Sequence, residues 1–401
     1  MTAPVLILDL SRLLSRVLHA TPTGVDRVEM AYAEGLLAAA GDRLSFAAVH
    51  PGGYGRLPAG AVKEFLVATK ARWQDEGAAA SDLRWFAVRA LAALRPRPVP
   101  RADGTRRVYI QASPHHLTRP LLVERILARE RARFLCLVHD LIPLEFPEYA
   151  RPGGAQLHRC RVETIARYAD GVLGNSTSTL HAMRPWLDRG LRAPATGVAP
   201  LGTECLDEPM PVSGPMPGSE PQPYFICVGT IEPRKNHLLL LNIWRRIAAE
   251  PGTVPPRLLL VGRRGWENEQ VVDMLERCPA LVGCVEEHSR PSDREMRRLV
   301  AGARALLMPS FAEGYGMPVT EALALGVPVI CSDIPAHRET GGTVPDYLDP
   351  LDAIGWMRAI RAYAADGPER RAQFARMPAW SPPTWREHMD MVLAMAEKIA
   401  S

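Results

Sequence analysis

Glu313 and Glu321 stand eight positions apart in PSFAEGYGMPVTEALALGVPVICSD, residues 309–333, around a glycine-rich turn. The pattern predicts a helix over 319–325, with Glu321 just inside its start. A helix N-terminus offers unpaired backbone N–H groups and a partial positive charge, so it attracts phosphate. Two carboxylates beside it can accept hydrogen bonds from sugar hydroxyls. The combination suits a ligand that is part pyrophosphate and part carbohydrate. A second cluster, Gly229-Thr230-Ile231-Glu232-Pro233-Arg234-Lys235-Asn236-His237, follows one apolar run and precedes a helical one. Arg234 presents a planar fork to phosphate oxygens and Lys235 a compact charge. Each cluster has a plainer reading. Residues 229–237 fit an ordinary exposed charged turn, and Glu321 fits an acid favoured by the helix dipole.

The elements that must hold these clusters are legible as alternating apolar and amphipathic runs, the α/β signature. Strands are expected at 5–9, 43–49, 107–111, 134–139 and 171–174, with helices at 25–40, 121–131 and 156–168. Residues 207–223, DEPMPVSGPMPGSEPQP, lack periodicity and read as a linker. A second series follows, with strands at 224–229, 257–261, 282–286, 305–308 and 327–331 and helices at 238–249, 268–278, 293–301 and 319–325. The expected organisation is a Rossmann-like parallel-sheet domain over 1–206, a linker over 207–223, a second such domain over 224–382, and a helix within 383–401. Ligands of open parallel sheets bind at the carboxyl ends of the strands, where both clusters fall.

With 401 residues and 47% hydrophobic content, the chain is long enough for two cores. No run is apolar and long enough to span a bilayer, and the first residues read as a strand rather than a leader. The seven cysteines are scattered without C-x-x-C, which argues for reduced thiols in a cytoplasmic protein and against a zinc site. His115-His116 has no carboxylate or cysteine at metal-ligand spacing. Basic residues outnumber acidic ones 27 to 19 up to Cys205, and acidic outnumber basic 25 to 21 after it. The first half therefore suits an anionic surface. Residues 84–107 carry seven arginines beside Trp85 and Phe86. They read as a solvated helix and loop or as a contact for anionic lipid. No nucleic-acid motif accompanies them.

Pro309-Ser310, Glu313-Gly314-Tyr315-Gly316-Met317-Pro318, Glu321-Ala322 and Gly326-Val327-Pro328-Val329 resemble the E-x7-E signature of the retaining GT-B glycosyltransferases of family 4. Residues 229–236 are similar to that family's partner motif. The stretch 262–269, GRRGWENE, resembles a segment of bacterial members that build lipopolysaccharide, capsule or exopolysaccharide. In the first half the likeness rests on Thr23-Gly24-Val25-Asp26-Arg27-Val28, His139-Asp140-Leu141-Ile142-Pro143, and Ala169-Asp170-Gly171 with Asn175-Ser176. The resemblance implies a GT-B architecture, two Rossmann-like domains facing an interdomain cleft, with the final helix crossing back to the first domain. It implies that Arg234 and Lys235 neutralise the donor pyrophosphate. Glu313 would hold sugar hydroxyls, and Glu321 the ribose. The backbone of Gly314, Tyr315, Gly316 and Met317 would meet sugar and phosphate. Gly24, in the loop after the first strand, would let the backbone approach the phosphates. His139 would touch the transferred sugar and Asp140 would orient the acceptor. Two departures stand out: Thr230 replaces an arginine found in many relatives, and Gly24 is single where many have two glycines.

The expected activity is retaining transfer of a hexose, mannose favoured, from a GDP- or UDP-sugar to a saccharide or lipid-linked saccharide in surface polysaccharide synthesis. The chain contains no D-x-D, and the Arg234–Lys235 pair can serve in a metal's place, so the expectation is metal-independent catalysis without a cofactor. The expected setting is cytoplasmic or peripheral on the inner membrane face. The alternatives are a non-catalytic sugar-nucleotide-binding assembly partner and a GT-B-type epimerase. A phosphorylase would need pyridoxal phosphate on one of only four lysines. A dehydrogenase would need a G-x-G-x-x-G after the first strand.

Overall fold

The computed structural model describes residues 3–74, 80–100, 104–190, 192–204, 222–289 and 291–401. Residues 101–103 of the arginine-rich segment and 207–221 of the expected linker lie outside them. The chain divides into two compact units, Met1–Gly202 with Pro383–Ser401, and Thr203–Pro382.

The first unit is built on seven strands: β1 (Val5–Asp9), β2 (Leu44–His50), β3 (Gly53–Leu57), β4 (Arg107–Gln111), β5 (Ala132–Val138), β6 (Gly171–Gly174) and β7 (Ala195–Val198). Their order is β3-β2-β1-β4-β5-β6-β7, parallel except where β3 runs against β2. The second unit has β8 (Tyr224–Val228), β9 (Arg257–Val261), β10 (Val285–His288), β11 (Ala305–Met308), β12 (Val329–Ser332) and β13 (Asp346–Leu348). Their order is β10-β9-β8-β11-β12-β13, all parallel.

The apolar runs are continuous because both faces of each sheet are covered. In the second unit, Phe225, Cys227, Leu258, Leu260 and Leu307 pack on one face with Trp244, Trp356 and Tyr363. Their neighbours Ile226, Leu259, Val261 and Leu306 pack on the other with Val319 and Leu323. Successive side chains of a strand point oppositely, so one run feeds two cores.

The helix Trp385–Ala400 belongs to the first unit. Thr384 and Glu387 form a capping box at its start, and His388, Met389, Val392, Met395 and Ala396 make its buried stripe. Small residues receive it: a Cβ on Gly35 would lie 2.7 Å from Met389 Cγ, and one on Gly197 3.2 Å from Met395 Cε. His388 donates Nδ1–H to the Pro200 carbonyl (2.9 Å), so its Nε2 accepts from the Tyr32 hydroxyl (2.8 Å). Burial pushes this histidine down to about 4, and the neutral ring serves as a hydrogen-bond bridge.

Several boundaries differ from expectation. The strand expected over 282–286 starts only at Val285, because Gly283 turns the chain at φ +80°. The helix expected over 319–325 is Met317–Ala324, starting where Gly316 (φ +88°) ends the turn and Pro318 enters the first turn. Gly24 does not lie in a loop. It is the first residue of the helix Gly24–Ala40, and Asp26 shares a capping box with Thr23. Arg12 and Arg16 both bind Asp26, at 2.6 and 2.7 Å. The motif around Gly24 thus fastens the short helix Ser11–Ser15 to the helix that follows.

Candidate active site

The strand order locates the crevice in each sheet. The chain leaves β8 toward β9 on one side and leaves β11 toward β12 on the other. The loops after β8 and β11 therefore diverge, and a ligand crevice opens between them. Both clusters of the second half sit there.

Lys235 Nζ lies 2.6 Å from Glu313 Oε1, and Arg234 Nη1 2.8 Å from Glu313 Oε2. Arg234 Nε also reaches Glu232 at 2.6 Å, and the Ser310 hydroxyl donates to Glu313 Oε1 at 2.7 Å. Residues 78 and 79 positions apart are thus one network. Backbone contacts hold the loops in place. Phe311 N–H donates to Arg234 O (2.8 Å), and Arg234 Nη1 to Ala312 O (2.9 Å). Asn236, in the left-handed region at φ +55°, donates its amide to Pro309 O (3.2 Å) and Pro350 O (3.0 Å). Asparagine tolerates that conformation better than most residues.

Burial alone would raise the Glu313 carboxyl, but Arg234, then Lys235 and His337, hold it far below the usual carboxylate range. It is a permanent carboxylate whose two oxygens are both engaged. That makes it a poor general base and a good acceptor for hydroxyls. Burial raises Glu232, opposed by Arg234 and Lys235. His337 is fully buried and donates Nδ1–H to Ser332 O (2.9 Å). Its Nε2 has no partner among the described residues. The ring lies against the glycine turn, since a Cβ on Gly316 would sit 3.0 Å from its Cδ2. Burial, then Lys235 and Arg234, push His237 down to about 3. Both imidazoles are therefore neutral at pH 7.

The loop after β9 supports the loop after β8. Gly262 (φ +157°) presses on Gly229, and a Cβ there would lie 2.0 Å from Gly229 O. Gly229 in turn carries Lys235, whose Cε would be 3.2 Å from a Cβ at that position. Thr230 packs against Gly265, where a Cβ would meet its Cγ2 at 2.7 Å.

The structure thus brings Arg234, Lys235 and Glu313 together, and Thr230 follows Gly229, against which Lys235 lies. Gly314 and Tyr315 follow Glu313, and Gly316 and Met317 open the helix. Glu321 is the fifth residue of that helix and half-buried, so a first-turn dipole role does not apply to it. Glu232, Ser310 and His337 were missed by sequence reasoning. Glu232 had a signal, lying two residues before Arg234 in one motif. His337, 24 positions beyond Glu313, had none.

In the first unit the crevice lies after β1 and β4 by the same rule. His139 and Asp140 follow β5, one strand further on. His139 donates Nε2–H to Ala112 O (2.7 Å), which leaves Nδ1 as an acceptor. Burial lowers its pKa although the Ala112 carbonyl and Asp140 oppose the shift. Asp140 accepts from Ile142 N–H at 3.1 Å. At the crevice itself, Asp9 is buried and accepts from Ser11 N–H (3.0 Å), the Ser11 hydroxyl (2.9 Å) and Tyr109. Nearby Glu29 is pushed up to about 8 by burial and then by Asp9. Sequence reasoning missed this polar group because its members lie inside apolar runs.

Residues 222–366 match the family model for glycosyl transferases group 1. The chain is 30% identical over 239 residues to the serotype-specific mannosyltransferase WbdA of Escherichia coli, covering 56% of this chain and 29% of that protein. It is 37% identical over 131 residues to the O-antigen chain mannosyltransferase B of Escherichia coli, covering 33% of this chain and 34% of that one. The chain thus spans about a third of the length of these relatives. Its fold resembles that of Anabaena HepE, solved in complex with UDP, with a TM-score of 0.62 at 15% identity over 98% of this chain and all of that one. The architecture is GT-B, two Rossmann-like parallel-sheet units.

Proposed function

We propose that the protein is a retaining, metal-independent hexosyltransferase that moves mannose from a nucleotide-diphosphate sugar to a saccharide or lipid-linked saccharide in surface polysaccharide synthesis. The network of Arg234, Lys235 and Glu313 at the crevice between β8 and β11 carries this reading. As the glycosidic bond breaks, negative charge gathers on the leaving diphosphate and positive charge on the sugar ring. Arg234 and Lys235 stabilise the first, and the carboxylate of Glu313 the second. The engagement of both Glu313 oxygens favours front-face attack, in which the leaving phosphate takes the acceptor proton, over a covalent intermediate on Glu313. Glu321 is assigned to the ribose, with the backbone of Gly314, Tyr315, Gly316 and Met317 meeting sugar and phosphate. His139 and Asp140 are assigned to the transferred sugar and the acceptor. The preference for mannose rests on the mannosyltransferase relatives.

The test is donor hydrolysis with GDP-mannose, UDP-glucose, UDP-galactose and UDP-N-acetylglucosamine, with and without EDTA. GDP-mannose should turn over fastest and EDTA should not change the rate. Absence of binding and turnover with every donor would sink the enzyme reading, and a loss with EDTA the metal-free one.

The acceptor side extends to a membrane surface in this reading. No helix among the described residues is long and apolar enough to cross a membrane. The helix Ala80–Ala93 stacks Phe86 inward on Phe65, with ring centroids 6.1 Å apart, while Trp85 and Val88 face outward, 73% and 59% exposed. Exposed Arg84 and Arg89 flank them. Aromatic and aliphatic groups between arginines suit anionic headgroups. Co-sedimentation should occur with vesicles containing phosphatidylglycerol and fall sharply with phosphatidylcholine alone. Equal binding to both would count against this contact.

A further inference from the structure

The donor cradle is nearly electroneutral as it stands. Arg234 and Lys235 face Glu313 and Glu232, and both nearby imidazoles are neutral. A diphosphate carries more than one negative charge, so a cradle whose cations are already paired attracts it poorly. A cation without a carboxylate is missing from the network, and the neighbouring strand supplies one.

The β8–β9 ladder runs Val228 beside Val261 and continues to a parallel bridge between Ile231 and Arg264. Ile231 N–H donates to Arg263 O (3.0 Å) and Ile231 O accepts from Gly265 N–H (2.9 Å), so the register holds through the loop. Arg263 therefore stands beside Thr230. It is about 4.8 Å away, one strand spacing, and Thr230 is one Cα step, about 3.8 Å, from Gly229. Lys235 Nζ would lie 3.3 Å from a Cβ on that same Gly229. An arginine side chain is long enough to cover this span. Arg263 is exposed, and among the described residues nothing bonds to its guanidinium. The next residue shows the opposite arrangement. Arg264 is fixed by Glu287 (2.9 Å) and Glu276 (2.5 Å).

We propose that Arg263 is the free cation of the donor site, binding the diphosphate from the end of β9 beside Thr230. This rests on the nucleotide-diphosphate reading above. It assigns to the loop after β9 a direct part in ligand binding as well as its support of Gly229. It also accounts for a threonine at position 230, because a cation there would crowd the guanidinium in register beside it.

Titration calorimetry with GDP and UDP on the wild type, Arg263→Gln and Arg263→Lys tests the assignment. Arg263→Gln should weaken the better-bound nucleotide about tenfold or more, the size of one charge-assisted hydrogen bond. Arg263→Lys should recover part of the loss. The ligand-free melting temperature of both variants should match the wild type, because the side chain is exposed and makes no hydrogen bond or ion pair among the described residues. Wild-type affinity in Arg263→Gln would overturn the assignment and leave the donor reading standing. A loss of affinity that tracks a lowered ligand-free melting temperature would also overturn it. A wild type that binds neither nucleotide would overturn the donor reading and this assignment together.

Discussion

Glu313→Gln is expected to lower the rate of sugar transfer at least about 10²-fold, the scale of one lost electrostatic contact to the transition state. The amide keeps the shape of the carboxylate and removes its charge. Lys235 and Arg234 then face a neutral group, 2.6 and 2.8 Å from where the carboxylate oxygens were. Removing one partner of a buried pair costs about 3–5 kcal/mol when the other stays buried. Arg234 is partly exposed and can turn to solvent, so the cost here falls at the lower end. Lys235→Met should lose a similar factor in kcat. In the double variant Glu313→Gln/Lys235→Met, stability should partly return and activity should not. That separates the packing role of the pair from its chemical one. Wild-type turnover in either single variant would remove that residue from the site. The pH dependence follows from the sign of the shift. The folded-state pKa of Glu313 is depressed, so its stabilising contribution is complete above the unfolded value of about 4.3 and is lost only in strong acid. The rate profile above pH 5 should contain no limb from Glu313.

Gly262→Ala should cost a comparable factor in kcat/KM for the donor, although residue 262 carries no functional group. Its Cβ would stand 2.0 Å from Gly229 O and 2.6 Å from Gly229 C. Both are backbone atoms, so the β8 loop itself must move, and Gly229 is the surface on which Lys235 lies. The left-handed φ of +157° adds strain of about 1–3 kcal/mol. Gly252→Ala is the matched control. It shares a positive φ (+72°), but nothing lies within 4 Å of its Cβ. It should lose about 1 kcal/mol and keep its donor kinetics within roughly twofold. Equal kinetics in the two variants would show that the β9 loop does not support the donor site.

Ten of the thirteen strands among the described residues were legible, because buried parallel strands are written as short, unbroken apolar runs; Ala195–Val198 and Asp346–Leu348 were not, being only four and three residues long and half-buried. Val5–Asp9, Arg257–Val261 and Ala305–Met308 have the bounds expected of them. The edge strand Gly53–Leu57 was not seen, since GYGRL has two glycines and no alternation. The short helix Ser11–Ser15 was hidden for a related reason: it spans little more than one turn, too few residues for a period to show.

Hydrophobic period and motif spacing are local, so the two parallel-sheet domains, the loops of the candidate site and the residue types in them can be read along the chain. Glu313 and Glu321 belonged to that local information, as did Arg234 and Lys235. The folded chain was needed to show that Glu313 is locked to both cations and to Ser310, and that Glu232 and His337 complete its surroundings. It also turned Glu321 from a first-turn acid into a second-turn one and placed Arg263 beside Thr230. These facts depend on strand order and register, which join residues tens of positions apart. Charge balance at a site is a sum over such neighbours, so no single stretch of the chain contains it.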